Sequence, residues 1–145
     1  MQSFILPLII GLLGGIAVGL QGPLASMMSQ RIGAMGSVFV IHLSGALMSG
    51  ALLLAVGGVN PAAWRSLPWY FWSAGVFGLV VISGVSYTIP RIGAAVTVTL
   101  IVTAQLILST ALDHFGLLGT AVRPIDPSRA IGVAVLFLGT WLMVR

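Results

Sequence analysis

The chemistry available to this chain is concentrated in LILSTALDHFGLLG, residues 106–119, where an aspartate and a histidine stand side by side at the end of an apolar run. The whole sequence has two carboxylates, Asp113 and Asp126, two histidines, His42 and His114, six arginines, and no glutamate, lysine or cysteine. Counting back by four from Asp113 gives Ser109 and Gln105, so a helix would carry these three along one face, a polar stripe in an aliphatic segment. Gln105 and Ser109 are therefore candidates for a substrate pathway. Asp113 falls near a helix carboxyl end, where the macrodipole disfavours a negative charge, so another group must compensate it. The candidates are Arg65, Arg123 and Arg129. An ion pair closing the last interhelical connection is the preferred reading of Asp113, and a coupling or substrate role is the alternative.

Two further places have polar residues in apolar surroundings. In Gln21-Gly22-Pro23 the proline cannot donate to the carbonyl of Gly19, so the helix should bend or loosen there and free polar backbone beside Gln21. His42 shares a helical face with Gly45 and Ser49 by the i+3 and i+7 spacing. Gln21, His42 and Ser49 join the pathway candidates, although a neutral histidine bonded to a neighbouring helix would also explain His42. No nucleophile–base pair or metal-ligand cluster is visible, so the sequence points away from an enzyme and calls for no metal and no cofactor. Asp126 before Pro127 reads as the N-cap of a final helix.

The elements that must position these residues follow from composition. With 59% hydrophobic and 6% charged residues, the chain has too little polar surface to dissolve as a globule, and the lipid bilayer is its expected partner. Hydrocarbon requires helices of about 20 residues or closed barrels, and the segments do not alternate as barrel strands do. The sequence thus predicts an all-α polytopic membrane protein, a single domain over 1–145, with five transmembrane helices at about 4–28, 34–59, 68–87, 92–112 and 127–144. The first segment is read as a true span and not as a signal peptide, because Met1-Gln2-Ser3 brings no positive charge and the apolar run is too long. Trp64, Trp69, Tyr70 and Trp72 near the third span, and Trp141 in the fifth, form an aromatic belt. The scattered arginines form no basic patch, so nucleic acid is not an expected partner.

Loop charge gives no preferred orientation. Arg65, Arg123 and Arg129 fall on the side of the amino terminus, and Arg31, Arg91 and Arg145 on the other. Balanced charge on an odd number of spans predicts dual topology, in which oppositely inserted copies pair into an antiparallel, ten-helix homodimer. Gly11, Gly15 and Gly19 recur every four residues on the first helix, and Gly45 precedes Ser49 by four on the second. Such small residues allow close helix packing, between copies or within one chain. The tetrapeptide Arg-Ile-Gly-Ala occurs at 31–34 and again at 91–94, each time where one span hands over to the next. A duplicated helical hairpin is one explanation, with both arginines as snorkelling anchors.

The stretch from Gln21 through GPLASMMSQRIGA, the PWYFWSAGVFG entry to the third span, PRIGAA, and Gln105 followed by SxxxDHFG resemble the YdcZ-like family of bacterial inner-membrane proteins. That family is described as exporters within the drug/metabolite transporter superfamily, and the resemblance covers nearly the whole chain. It implies five-helix units that occur as dual-topology homodimers, oppositely oriented pairs or fused ten-helix proteins. It supplies no substrate. Ala25 stands where the resemblance leads one to expect asparagine, and His42 matches no family motif. The chain also resembles small multidrug resistance proteins in size and charge balance, but it lacks their membrane-embedded glutamate, which leaves Asp113 or His42 for any proton coupling. The resulting expectation is an inner-membrane transporter half that exports small organic metabolites or drugs by alternating access. A dual-topology passive channel and a non-transporting membrane subunit are the alternatives.

Overall fold

The computed structural model describes residues 2–58 and 60–145, and every regular element among them is helical. Met1, and Val59 at the expected end of the second span, lie outside the described residues. The chain divides into two units, residues 1–91 and 92–145.

The first unit contains α1 (Gln2–Ala55), a short α2 (Pro61–Arg65), a 3-10 turn over Trp69–Ser73, and α3 (Ala74–Ile92), whose last residue belongs to the second unit. A straight α1 of 54 residues would be about 80 Å long, more than twice the hydrocarbon thickness of about 30 Å. It is not straight. Gly33 has φ 80° and ψ 160°, the only non-helical dihedrals within α1, and the Ser37 hydroxyl donates to the carbonyl of Ala25 at 2.9 Å. Residues twelve apart on one straight helix would be separated by about 18 Å, so α1 is a hairpin of two antiparallel arms, residues 2–32 and 34–55. With α3, α4 and α5, these arms make five membrane-length apolar helical segments.

The expected break near Gln30 and Arg31 is therefore a single residue at Gly33, with helix up to Ile32. Glycine is required there because side chains exclude the region near φ +80° with an extended ψ. The expected bend at Pro23 is absent as a dihedral break. The missing proline N–H removes one helix bond, and the rest of the helix keeps its dihedrals through that turn. The second arm stops at Ala55, where Gly57 (φ 106°) and Gly58 (φ 79°) follow. The third span enters through the 3-10 turn, and α3 continues through Pro90 to Ile92.

The core of this unit is small. Ala25, Val38 and Ile82 are buried together, with Ile41 packed against them. At Gly22 the first arm comes so close to α3 that an added Cβ would lie 3.4 Å from Ile89 and 3.5 Å from Val85. Short side chains set this spacing, as expected where lipid offers apolar groups no gain from mere burial and helices associate by close packing.

The second unit contains α4 (Ala94–Phe115), a 3-10 turn over Leu117–Gly119 and α5 (Pro127–Val144). α4 and α5 are joined by a 2.6 Å hydrogen bond between the hydroxyls of Thr103 and Thr140, both buried. Asp126 caps α5, its carboxylate accepting from the backbone N–H of Arg129 at 2.8 Å, and Pro127 begins the helix.

Gly93 precedes α4 with φ 83° and ψ 161°, almost the dihedrals of Gly33, and both are the third residue of Arg-Ile-Gly-Ala. Burial repeats at the same spacing: Ala25, Ser26 and Ser37 are buried around the first copy, and Val85, Ser86 and Thr97 around the second. The repeat therefore extends from four letters to backbone conformation.

Candidate functional site: a polar groove in the first unit

The two arms of α1 and α3 border a groove of about 460 Å³, lined by Gln21, Ile41, His42 and Gly45 from α1 and by Gly78 and Ile82 from α3, among others. Gln21 and His42 are brought to the same groove because hairpin pairing about Gly33 sets residue 21 opposite residue 41, as it sets 25 opposite 37. Their distances along the helices from the Gly33 turn are about 18 Å and about 14 Å. With the Gly33 turn at a membrane surface, where Arg31 would reach the headgroups, both side chains would stand near the middle of a hydrocarbon layer about 30 Å thick. Both are exposed on the single chain.

His42 is oriented by its own helix. Its Nδ1 stands 2.8 Å from the carbonyl oxygen of Val38, and a carbonyl can only accept, so Nδ1 carries the proton. In the neutral ring Nε2 is then a free acceptor. That nitrogen rests against Gly78, where an added Cβ would lie only 2.8 Å away. Sequence reading did not single out Gly78; an apolar helix glycine facing a polar residue on another helix gives no signal until the pairing is known.

Of the other candidates in the first unit, Gly45 lines the groove and Ser49 does not. Ser49 is exposed and turns its hydroxyl to the carbonyl of Ala46. Gly11, Gly15, Gly19 and Gly45 would meet nothing within 4 Å if given a Cβ, so within the first unit no neighbouring helix closes on them. Gln105 and Ser109 are exposed on α4, about 200° and 240° around the helix from Thr103, on the side turned away from α5. Within the second unit they line no groove with α5.

Of the three candidate partners of Asp113, Arg123 and Arg129 share its unit and Arg65 belongs to the first. Within the second unit neither Arg123 nor Arg129 pairs with its carboxylate. The connection is closed by backbone and ring contacts instead: the Arg123 N–H donates to the Asp113 carbonyl at 2.8 Å, and the Ile125 N–H donates to His114 Nδ1 at 3.1 Å. The guanidinium of Arg129 is engaged with the Arg123 carbonyl at 3.1 Å. Gly116 ends α4 in the left-handed conformation (φ 63°), its N–H donating to the Leu112 carbonyl, and an added Cβ there would lie 2.6 Å from Val122. The Asp-His-Phe-Gly block thus builds the loop without using the Asp113 carboxylate within the second unit.

Two arginines stack on aromatic rings near helix carboxyl ends. Arg91 lies 3.6 Å over the ring of Tyr87, and Arg145 lies 3.9 Å over that of Trp141. Trp64 and Trp72 meet edge to face with centroids 6.3 Å apart.

No curated protein and no solved structure gives a match to this chain. The model of one protein family, described as "Putative inner membrane exporter, YdcZ", matches residues 6–142. With that match over nearly its full length and membrane-length apolar helices throughout, the chain belongs to the YdcZ family of multi-pass inner-membrane proteins.

Proposed function

We propose that the chain is one half of an inner-membrane exporter, which moves small organic solutes outward by alternating access as an antiparallel homodimer. The observation that carries this reading is the exposure of Gln21 and His42 well inside membrane-length apolar helices on a single chain. A polar amide and an imidazole facing hydrocarbon are costly, so that face belongs against protein or a wet cavity. A second copy supplies the protein, and the two grooves together supply the cavity. The three-against-three division of arginines permits the copies to insert in opposite senses, and the exposed Gly11, Gly15 and Gly19 give them a surface for close approach. In this reading the five spans work as one domain, Gln105 and Ser109 face the partner or the pathway, and Asp113, in the last turn of α4, lies outside the mid-membrane cavity. Carboxy-terminal fusions to a cytoplasm-active and to a periplasm-active reporter test it. Both should give signal from the wild-type sequence, and a strong signal from only one would overturn the antiparallel dimer.

A further inference from the structure

We infer that the Nε2 lone pair of His42 is a single acceptor for which a proton and the transported solute compete, and that the solute is a small, uncharged, mainly apolar molecule bearing an N–H or O–H donor. The inference rests on the export reading above for its physiological meaning, but the binding event can be tested alone.

The bond from Nδ1–H to the Val38 carbonyl leaves Nε2 as the free acceptor of the neutral ring, and no donor among the described residues satisfies it. Gln21 is the only other side chain with a polar group on the groove, and no charged or second titratable group lines it from either arm of α1 or from α3. With no carboxylate on the wall a cation finds no counter-charge, and with no arginine there an anion finds none either. A donor-bearing neutral solute finds Nε2, the Gln21 amide and apolar walls. One lone pair cannot hold both a proton and the donor of a solute. Binding of either displaces the other, so one site exchanges them without a membrane carboxylate, which this chain lacks in the groove. Gly78 leaves room for the nitrogen at the α3 surface, where a side chain would force the ring aside.

The test uses the full chain in detergent micelles with ring-labelled histidine, followed by nuclear magnetic resonance at a fixed pH where His42 is partly protonated. His114, outside the groove, is the internal reference. Indole is the donor-bearing probe, and 1-methylindole has the same ring system without the N–H. At a tenfold excess over its dissociation constant, indole should lower the protonated-to-neutral ratio of His42 about tenfold, while 1-methylindole leaves it unchanged and His114 responds to neither. Equal responses to the two probes, or none to indole, would overturn the inference. Gly78→Ala should abolish the indole response while His42 still titrates; a retained response would also overturn it. A one-sided reporter signal with this competition intact would remove the dimeric exporter alone, and a two-sided signal without competition would remove this inference alone.

Discussion

The hydroxyl of Ser37 reaches back to the carbonyl of Ala25 at 2.9 Å, and that bond joins the two arms of α1 next to the buried Val38 and Ile82. Ser37 is 0% exposed, so it has no room to grow. Ser37→Ala should destabilise the folded protein by about 1 kcal/mol, the usual worth of such a bond. Ser37→Leu should cost more, because overpacking adds about 1–3 kcal/mol. Denaturation in mixed micelles, followed by circular dichroism, gives the order.

Gly33→Ala should cost about 1–3 kcal/mol, since an L side chain is strained at φ 80° with ψ 160°. Gly93→Ala should do the same at φ 83° and ψ 161°. A loss of folded yield from both, against little change for Gly132→Ala, which meets nothing within 4 Å, is the expected pattern. It is read by fluorescence-detected size exclusion.

At the other end of α4, Gly116→Ala faces two penalties, left-handed backbone and a contact of 2.6 Å with Val122. Removing the second should help. Gly116→Ala combined with Val122→Ala should recover part of the stability but not all, because about 1 kcal/mol of backbone strain persists. Thermal melts of the two single variants and the double variant separate the terms.

Asp113→Asn should leave stability within about 0.5 kcal/mol of wild type, because the loop is held by the Asp113 carbonyl and not by its carboxylate. Asp126→Ala, which removes the cap on the Arg129 N–H, should cost about 1 kcal/mol. Comparable losses from the two would restore an ion pair to Asp113. Any effect of Asp113→Asn on flux is then read against an intact fold.

A last expectation concerns orientation. Two lysines inserted after Met1 should bias the population toward an inside amino terminus. If the antiparallel dimer is the working unit, a biased form expressed alone should lose activity and regain it when its oppositely biased counterpart is co-expressed. Equal activity from the biased form alone would count against the pairing.

Hydropathy made the helical segments legible because a lipid-facing helix must be apolar over its whole length. The Asp126–Pro127 cap was legible for a different reason: its two residues act locally, through one carboxylate and one missing N–H. Helix ends were less so. Arg31 and Pro90 resemble punctuation, yet the chain stays helical past both and breaks only at Gly33 and before α4 at Gly93. The meeting of Gln21, His42 and Gly78 could not be read in advance, since it depends on which faces of separate helices meet. Charge scarcity suggested a pair for Asp113, and within the second unit the contact that forms uses its backbone.

The Gly33 turn has a consequence for biogenesis. A connection of one residue leaves almost no hydrophilic chain to be pushed across the bilayer, so the arms of α1 can enter the translocon as a preformed pair, with Arg31 as the one nearby charge to be carried or retained. This segment then adds a single positive charge to the orientation balance, and the other five arginines supply the rest. The same economy removes any place for a tag: an epitope or protease site inserted at residue 33 would separate Ser37 from Ala25 before it could report on which side it lay.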